Sequence, residues 1–311
     1  MSDLFEDKNI SPMLLYQVEP FDDKDYIFEL KLDGIRCIAY LDKDNVVLRN
    51  KRNKDVTEIY PELNNIYKCA EKRCILDGEI ICQGENGKPD FFALQRRSLM
   101  IDKFRIKLAA ERNPVQFVAY DILYIDNKQI TDEPLLQRKS QLKKVIKENN
   151  SLSISRYIEK DGMAFFELAK QNELEGVVAK KKDGLYHIGK RTKDWVKIKV
   201  MQDEDLIVCG YKLNDDGKIK DLLLGIYDED NLISRGSVSL GISKEDQKTI
   251  LNFAKNNTIT KPWFPDKNNV NWLKLKLVGT AHYMHQTESG NMRQPVWKGL
   301  RTDKSVNECR I

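Results

Sequence analysis

The feature that most limits the possible folds of this chain is the alternation of β-like and helical segments between residues 26 and 200. Residues 26–32 alternate apolar and charged side chains, which is the period-two pattern of a strand with two different faces. The segment therefore predicts a strand with a dry core face and a wet functional face. The expected core residues are Phe28, Leu30 and Leu32, and the expected polar residues are Glu29 and Lys31.

Further segments extend this mixed pattern. Residues 115–124 form a nearly continuous apolar run, which indicates a strand buried in the middle of a sheet. A helix is predicted to begin at Pro134, and a second helix is predicted over residues 165–169. Strands and helices of these lengths favour a first domain of mixed composition.

The remainder of the chain has a different character. The polar residues 202–205 predict a hinge between two domains. Beyond them, short strand-like pieces are separated by turn signals such as residues 214–217, and Ser243 and Asp246 have the spacing of a capping box at the start of one helix. This pattern suggests a small β-barrel, for which the oligonucleotide-binding (OB) fold is one candidate.

Composition sets the broad class. The 311 residues favour two domains, and 41% hydrophobic residues are enough to bury a sizeable core. The net charge of +4 is too small to establish a polyanionic partner without evidence from local placement.

The sequence also bears on compartment and metal content. No apolar run reaches the roughly 18 residues that span a bilayer, and the first residues are acidic, so we expect no membrane segment, no secretory leader and a cytoplasmic protein. The six cysteines never form a C-x-x-C pair, which favours reduced, buried thiols over a zinc site. His282 and His285 lack partner ligands in the sequence, so structural roles are expected for the histidines.

The most informative segment is residues 29–36, which read Glu-Leu-Lys-Leu-Asp-Gly-Ile-Arg. Alone, it is best explained as a solvated lysine at a strand end followed by an Asp-Gly turn. Three more segments change this interpretation. Residues 76–80 and 175–180 each contain a Glu beside a glycine in what is expected to be a tight turn, and residues 195–199 place two lysines on one strand face.

In this order and spacing, the segments resemble the motif series of the covalent nucleotidyltransferases, and most closely that of the ATP-dependent DNA ligases. The resemblance extends from about Ser11 to Lys304, and several motifs in sequence order are a much stronger signal than one. It implies an α+β fold. An adenylation (nucleotidyltransferase) domain of antiparallel sheets and helices is expected over residues 1–200, followed by an OB-fold β-barrel over residues 201–311.

The resemblance implies that Lys31 is the nucleophile that takes AMP from ATP. A free lysine has a pKa of ~10.4, so only about one in a thousand is neutral near pH 7.4. Neighbouring cations disfavour the ammonium form and so favour the reactive amine. The groups expected to supply this field are Arg36, Lys197, Lys199 and a bound divalent metal.

The resemblance also implies contacts to the base, the ribose and the metal. Glu29 is expected to accept a hydrogen bond from the adenine amino group, and Tyr120 stands where the family usually has a stacking Phe. Glu79 is expected to contact the ribose or a metal, and Glu175 to hold a divalent ion, for which Mg²⁺ is suited. Lys180 lies five residues after Glu175, which on a regular strand places the two on opposite faces.

Phosphate contacts are expected from several basic residues. Arg191 is a candidate for one of them. Either Arg49 or Arg52 is expected to read the 5′-phosphate of the nick, with Arg52 preferred, although neither has the family's usual spacing from Asp55.

The tail resembles the closing motif of the ligase barrel domain. In the family this motif swings over ATP and orients the pyrophosphate, with residues 200–205 as the expected pivot. The residues that match it are Arg301, Asp303 and Lys304.

The implied function is ATP-dependent DNA ligation with ATP and Mg²⁺ as cofactors. Only about 25 residues precede the first motif, so we expect a minimal bacterial or viral type, similar to the ligase module of bacterial end-joining proteins. Its expected substrate is nicked or broken duplex DNA bound across both domains by a monomer, with a possible recruiting repair protein. The alternatives are an RNA ligase, an mRNA capping guanylyltransferase, or a non-catalytic nucleic-acid-binding protein.

Overall fold

The computed structural model describes residues 3–84, 90–265 and 269–311. The chain divides into two compact units, Met1–Val200 and Met201–Ile311. Among the described residues, no helix is both long and apolar enough to cross a membrane.

The first unit contains eleven strands and five helices within the described residues. The strands are β1 (Leu14–Gln17), β2 (Asp23–Leu30), β3 (Ile35–Leu41), β4 (Val46–Asn50), β5 (Cys74–Cys82), β6 (Val115–Ile125), β7 (Lys128–Gln129), β8 (Leu152–Ile154), β9 (Tyr157–Lys160), β10 (Gly176–Lys181) and β11 (Arg191–Lys199). The helices are α1 (Leu4–Asp7), α2 (Phe91–Ser98), α3 (Lys103–Arg112), α4 (Leu135–Val145) and α5 (Gly162–Gln171). Short 3₁₀ turns lie at Thr57–Ile59, Pro61–Leu63 and Ile66–Cys69.

These strands form two sheets. The first has the order β1-β11-β10-β2-β9, and the second has the order β4-β3-β5-β6-β7 with β8 beside β6. Neighbouring strands are antiparallel except for the pairs β1 with β11 and β6 with β8. An apolar cluster that includes Ile27 of β2, Ile38 of β3 and Trp195 of β11 fills the space between the sheets.

The outer faces of both sheets are also covered. Phe28 and Val196 of the first sheet pack with Ala169 of α5, while Leu142 of α4 and Leu94 of α2 join the cluster on the outer face of the second sheet. The predicted buried strand and the two predicted helices are confirmed as β6, α4 and α5. The expected wet and dry faces of β2 are wrong in detail, because both faces of the strand are covered. Glu29 is 2% exposed, whereas Leu30 is 37% exposed.

The expected tight turn at residues 76–80 is also wrong, since these residues lie inside the continuous strand β5. A Cβ atom at Gly78 would lie 2.5 Å from the carbonyl oxygen of Val118 and 2.6 Å from the ring of Phe117. This position therefore requires a glycine because β6 lies so close to it, and not because the chain turns there.

The second unit is built mainly from strands, with one long helix among its described residues. Its elements are β12 (Gln202–Leu213), β13 (Ile219–Asp228), β14 (Asn231–Val238), α6 (Lys244–Asn257), β15 (Thr258–Ile259), β16 (Asn271–Leu273), β17 (Val278–Tyr283), β18 (Val296–Leu300) and a 3₁₀ turn at Val306–Glu308. The side chain of Ser243 accepts a hydrogen bond from the backbone N–H of Asp246, so the predicted cap of α6 is present.

Residues 202–205, expected to be a hinge, form the start of β12 and pair with β17. The acidic side chains of this segment have partners in β17 and near the C-terminus. Asp203 contacts His282, and Asp205 accepts hydrogen bonds from Thr280 and Arg301. The boundary between the two compact units falls between Val200 and Met201, next to this segment, and its role as a pivot stays a prediction. All six cysteines are buried and unpaired, as predicted.

Candidate functional site

A pocket of about 480 Å³ opens between the two sheets of the first unit. Its volume lies in the range of pockets that hold a small-molecule ligand or cofactor. The lining residues are Leu15, Glu29, Leu30, Lys31, Leu32, Gly34, Ile35, Arg36, Asn50, Lys51, Arg52, Glu79, Tyr120, Val178, Lys180, Trp195 and Lys197. The structure therefore brings together seven of the site residues predicted from the sequence, and adds Lys180 to them.

Lys31 lies immediately after β2, where its backbone N–H donates to the carbonyl oxygen of Gly176 at 2.9 Å. Its ammonium group is 2.6 Å from Oε2 of Glu175, and its side chain is 20% exposed. Gly176 has a φ of +139°, and a Cβ atom there would collide with the carbonyl oxygen of Ile198. This glycine lets the chain turn into β10 with Glu175 beside Lys31, although Glu175 does not line the pocket.

Glu29 lies in β2 with its carboxylate buried beneath the pocket. The Nζ atom of Lys180 donates to Oε2 at 2.9 Å, Ser155 Oγ donates to the same oxygen at 3.1 Å, and Lys139 forms an ion pair with Oε1. Burial alone would favour the neutral acid. The two lysines nevertheless hold the pKa of Glu29 below its ordinary value, so the group is a charged acceptor.

Lys180 occupies the same side of the first sheet as Glu29, because Val178 of β10 pairs with Glu29 and side chains two residues apart share a face. Its ammonium group lies 4.4 Å from the ring centroid of Tyr120 and 4.1 Å from that of Trp195. Burial lowers the pKa of Lys180 to about 8, despite the attraction of Glu29. Counting residues from Glu175 did not predict which face of the sheet carries Lys180, because Glu175 lies before the first residue of β10.

Arg36 lines the pocket from β3 and is held by a residue that sequence reasoning passed over. Asp77 accepts from Nε of Arg36 at 3.1 Å and from its second terminal nitrogen at 2.7 Å, and the hydroxyl of Tyr186 donates to Asp77 at 2.7 Å. Burial opposes a charge here, but the Asp77 carboxylate raises the pKa of Arg36 well above its ordinary value. Asp77 thus fixes the guanidinium and compensates its charge, while the contribution of Arg36 to the field at Lys31 stays a prediction.

Glu79 lies opposite Arg36 in the β3–β5 register and also lines the pocket. Burial raises the pKa of Glu79 to about 8, outweighing the attraction of Lys31 and Arg36, and the charge on Glu175 acts in the same direction as burial. This raised pKa means that the neighbouring cations of the protein compensate the negative charge of the Glu79 carboxylate only in part.

The β11 lysines follow the predicted alternation. Lys197 lines the pocket, and Lys199, two residues further on, shares its strand face but is not among the lining residues. Burial, with the nearby charges of Lys31 and Arg191, lowers the pKa of Lys197. Val196 and Ile198 face the apolar cluster under α5, as expected.

The remaining arginines differ in placement. Arg52 lines the pocket, whereas Arg49 is 3.7 Å from Asp55 and donates to the carbonyl oxygen of Asn53 at 3.4 Å. Arg191 does not line the pocket. Its guanidinium donates to the carbonyl oxygen of Leu15 and is exposed.

The three closing-motif residues lie in the second unit, where they are bound to one another and to β12. Arg301 contacts Asp303 at 2.7 Å and Asp205 at 3.3 Å, and Lys304 forms an ion pair with the same Asp205. Hydrogen bonds from Lys304 and Thr280 lower the pKa of Asp205 against the effect of its burial.

Metal binding can be judged from the donor set. Within the described residues, no group of three or more His, Cys, Asp and Glu side chains could hold a metal without help. A Mg²⁺ ion needs only one or two carboxylates when phosphate oxygens and waters complete its shell, and Glu79, which lines the pocket, is a ligand of the type that it takes. The raised pKa of Glu79 agrees with this, because a cation would stabilise its charged form.

Two family models match this chain, one in each of its compact units. A family model described as "ATP dependent DNA ligase domain" matches residues 12–199, and one described as "ATP dependent DNA ligase C terminal region" matches residues 215–304. Together with the two-sheet pocket that presents Lys31, these matches define a covalent nucleotidyltransferase with a following OB-type domain. The chain belongs to the ATP-dependent DNA ligase family, and the predicted family, enzyme class and fold class are confirmed.

Individual relatives agree with this assignment. The multifunctional non-homologous end joining protein LigD of Mycolicibacterium smegmatis is 29% identical over 97% of this chain, and the prophage-derived DNA ligase-like protein LigB of Bacillus subtilis is 34% identical over 66% of it and 73% of LigB. The chain spans about two fifths of the length of the LigD proteins, 39% in that case. A solved mycobacterial DNA ligase D, complexed with ATP and MES, is 26% identical, with a TM-score of 0.57 over 97% of this chain and 98% of that one.

Two residues that contact the lining of the pocket were not predicted from the sequence. Asp77 and Lys139 contact predicted site residues that lie 41 and 110 residues away in the chain, so local spacing carries no signal for them. Asp77 could have been noticed only as the acidic neighbour of Glu79, and Lys139 only as a lysine on the buried side of a predicted helix.

Proposed function

We propose that this chain is an ATP-dependent DNA ligase in which Lys31 is the nucleophile. The observation that carries the proposal is the place of Lys31 at the mouth of a pocket whose walls present a charged acceptor, an aromatic ring and several cations. Glu29 and Tyr120 are suited to hold an adenine, and Lys197 and Arg52 are suited to hold phosphates.

The proposed reaction has three steps. The neutral amine of Lys31 attacks the α-phosphorus of ATP, so that a P–N bond forms and pyrophosphate leaves. The 5′-phosphate of a DNA break then attacks the lysyl-AMP, which releases the lysine and forms a DNA-adenylate with a pyrophosphate linkage. Finally the 3′-hydroxyl attacks the DNA phosphate, a phosphodiester forms and AMP leaves. Positioning and charge stabilisation at phosphorus are the protein's contributions to each step.

Charge at the pocket supports the first step. Burial and the nearby charge of Lys31 lower the pKa of Lys197, so the two ammonium groups lie in one cationic, partly buried region. Glu175, 2.6 Å from the Lys31 ammonium, holds the side chain in place before reaction. We propose that Glu79 and Glu175 hold Mg²⁺, which when bound supplies positive charge to the phosphates.

Residues 1–200 are proposed to carry the adenylation activity and residues 201–311 to form the OB-fold domain. We assign pyrophosphate orientation to Arg301, Asp303 and Lys304. The function assigned to these three residues should be confined to lysine adenylation. Arg301→Ala should therefore lose lysyl-AMP formation but retain sealing of a pre-adenylated nick, whereas Arg310→Ala, at an exposed arginine in the same unit, should retain both. Loss of sealing on the pre-adenylated nick by Arg301→Ala would contradict the assignment.

The substrate is proposed to be nicked or broken duplex DNA, bound by a monomer and held mainly through its phosphates. The lone protein is proposed to bind DNA weakly and to be recruited by a repair protein at the DNA, in the cytoplasm or at the nucleoid if the cell is bacterial. Tight, salt-resistant nick binding by the lone protein in a band-shift titration would contradict recruitment.

Nick sealing tests the function as a whole. Wild type, Lys31→Ala and the exposed-site control Lys147→Ala should be assayed with ATP and Mg²⁺ on nicked DNA, RNA and hybrid duplexes. We expect wild type and Lys147→Ala to seal DNA and Lys31→Ala to be inactive. Sealing of RNA alone would favour an RNA ligase, adduct formation with GTP alone would favour a capping enzyme, and no activity on any duplex would contradict the proposal.

A further inference from the structure

A buried lysine of α4 contacts both of the sheets that form the pocket. Lys139 is 2% exposed, and its Nζ atom donates to the carbonyl oxygen of Tyr120 at 3.0 Å while forming an ion pair with Oε1 of Glu29. Glu29 belongs to the first sheet and Tyr120 to the second. One ammonium group therefore contacts both of the residues proposed to hold the adenine.

We propose that Lys139 is a positioning residue that fixes the Glu29 carboxylate relative to the Tyr120 ring and thereby sets the preference for adenine over guanine. This inference rests on the proposed function, because it concerns the same nucleotide pocket.

The helix that carries Lys139 is fixed to the second sheet. The preceding residue, Arg138, donates to both carboxylate oxygens of Asp121 in β6, at 2.9 and 2.8 Å, and neither side chain has any exposed surface. Such a bidentate buried pair has little freedom to move. Lys139 therefore extends from a fixed point on the second sheet to Glu29 in the first.

Glu29 retains an acceptor site for a ligand. Oε2 accepts from both Lys180 and Ser155, whereas among the described residues Oε1 is contacted by Lys139 alone. A carboxylate oxygen has two acceptor positions, so Oε1 can take one more donor. This oxygen lies in a residue that lines the pocket, where a bound base can supply that second donor.

The base chemistry follows from the charge on Glu29. A carboxylate held in its ionised form only accepts hydrogen bonds. Adenine presents an amino donor at its six-position, whereas guanine presents a carbonyl oxygen there, which would place two hydrogen-bond acceptors against each other. Rejection by unpaired buried polar groups is a strong source of specificity.

Charge balance also indicates that Lys139 is more than a structural partner. Lys180 alone neutralises Glu29, and Arg138 with Asp121 is already balanced. The second lysine leaves a surplus positive charge beside the pocket, which costs stability in a buried site and favours an anionic nucleotide.

The test compares Lys139→Met, which removes the charge but retains the length of the side chain, with Lys139→Arg, which retains the charge. Lys143→Met is the matched control, since Lys143 lies one turn further along α4, is exposed and contacts the same Tyr157 ring. The initial rate of lysyl-AMP formation is measured against ATP and GTP concentration, with adenosine binding by calorimetry as a readout that does not depend on activity.

For Lys139→Met we expect KM for ATP and Kd for adenosine to rise about 10-fold or more, a change typical of losing one hydrogen bond that involves a charged group. The kcat should change much less, and the preference for ATP over GTP should fall. Lys139→Arg should recover part of the preference, and Lys143→Met should match wild type. If Lys139→Met does not fold, Lys139→Gln, which retains a donor for the Tyr120 carbonyl oxygen, should show the same direction of change.

A folded Lys139→Met or Lys139→Gln variant with wild-type KM, adenosine affinity and ATP preference would overturn the inference while leaving the ligase proposal intact. Failure of the wild type to form an adduct with any nucleotide would instead overturn the proposed function. A fall in kcat alone, with KM and base preference unchanged, would show that Lys139 does not position the base.

Discussion

Replacing Asp77 by Asn tests whether a buried ion pair beside the pocket contributes more to stability than an exposed ion pair does. Asp77 has no exposed surface, and the Arg36 guanidinium that it binds at 2.7 Å is 10% exposed. Asn retains the size of the side chain and removes only the negative charge. The buried Arg36 cation would then keep a hydrogen-bond partner but lose its counter-charge.

The expected cost follows from burial. Removing one member of a buried pair typically costs about 3–5 kcal/mol, because the remaining charge is left uncompensated. The matched control is Asp126→Asn, which makes the same chemical change at an ion pair with Lys72 at 2.9 Å, where the side chains are 50% and 53% exposed. Exposed pairs contribute about 0–1 kcal/mol. The two ion pairs have similar distances but different burial, so the two substitutions should lower the free energy of unfolding by amounts that differ severalfold.

The measurement is native-state hydrogen exchange of amides in β3 and β5, which reports the opening free energy of the first unit separately from the second. Asp77→Asn should lower that free energy by about 3–5 kcal/mol and should also reduce lysyl-AMP formation, because Arg36 lines the pocket. Asp126→Asn should change neither by a comparable amount. Equal losses in the two variants would refute the reasoning that burial of the pair decides its contribution.

Three further predictions follow from individual residues. Gly78→Ala should destabilise the first unit by about 2–3 kcal/mol, because the new methyl group would lie 2.5 Å from the Val118 carbonyl oxygen, while Gly217→Ala, in open space at a φ of +74°, should cost only about 1 kcal/mol; thermal melts compare them. Burial lowers the pKa of Lys180 from 10.5 to about 8, so between those pH values the unfolded chain binds a proton that the folded chain does not. Wild-type stability should therefore rise with pH in this window relative to Lys180→Met, by up to about 1.4 kcal/mol per pH unit in urea titrations, and parallel curves would count against it. Lys197→Ala should slow single-turnover lysyl-AMP formation by about 100-fold or more, because it removes a cation from the phosphate region, and an unchanged rate would contradict that role.

Sequence patterns were reliable where a single strand or helix determined the outcome. The apolar run of β6 and the helix after Pro134 were predictable because burial of these segments requires such patterns. The shared face of Lys197 and Lys199 followed from strand periodicity alone. Seven of the site residues predicted from the ordered motifs line one pocket.

Features that depend on contacts between elements were not predictable in this way. The charges at residues 202–205 gave no sign that Asp205 is the partner of Arg301 and Lys304, which lie about 100 positions later. Glu29 was expected on a wet face because β2 alternates, yet its two lysine partners come from α4 and β10. Period-two patterns describe which residues share a face and do not say whether another layer covers that face.

The central claim is that Lys31, among several lysines of one pocket, is the residue that becomes adenylated. Peptide mapping by mass spectrometry after incubation with ATP and Mg²⁺ tests it directly, because Lys180 and Lys197 also line the pocket and both have lowered pKa values. Our account predicts AMP on the peptide that contains Lys31 and none on the other two. AMP on Lys180 or Lys197, or no adduct on a protein confirmed to be free of AMP beforehand, would contradict it.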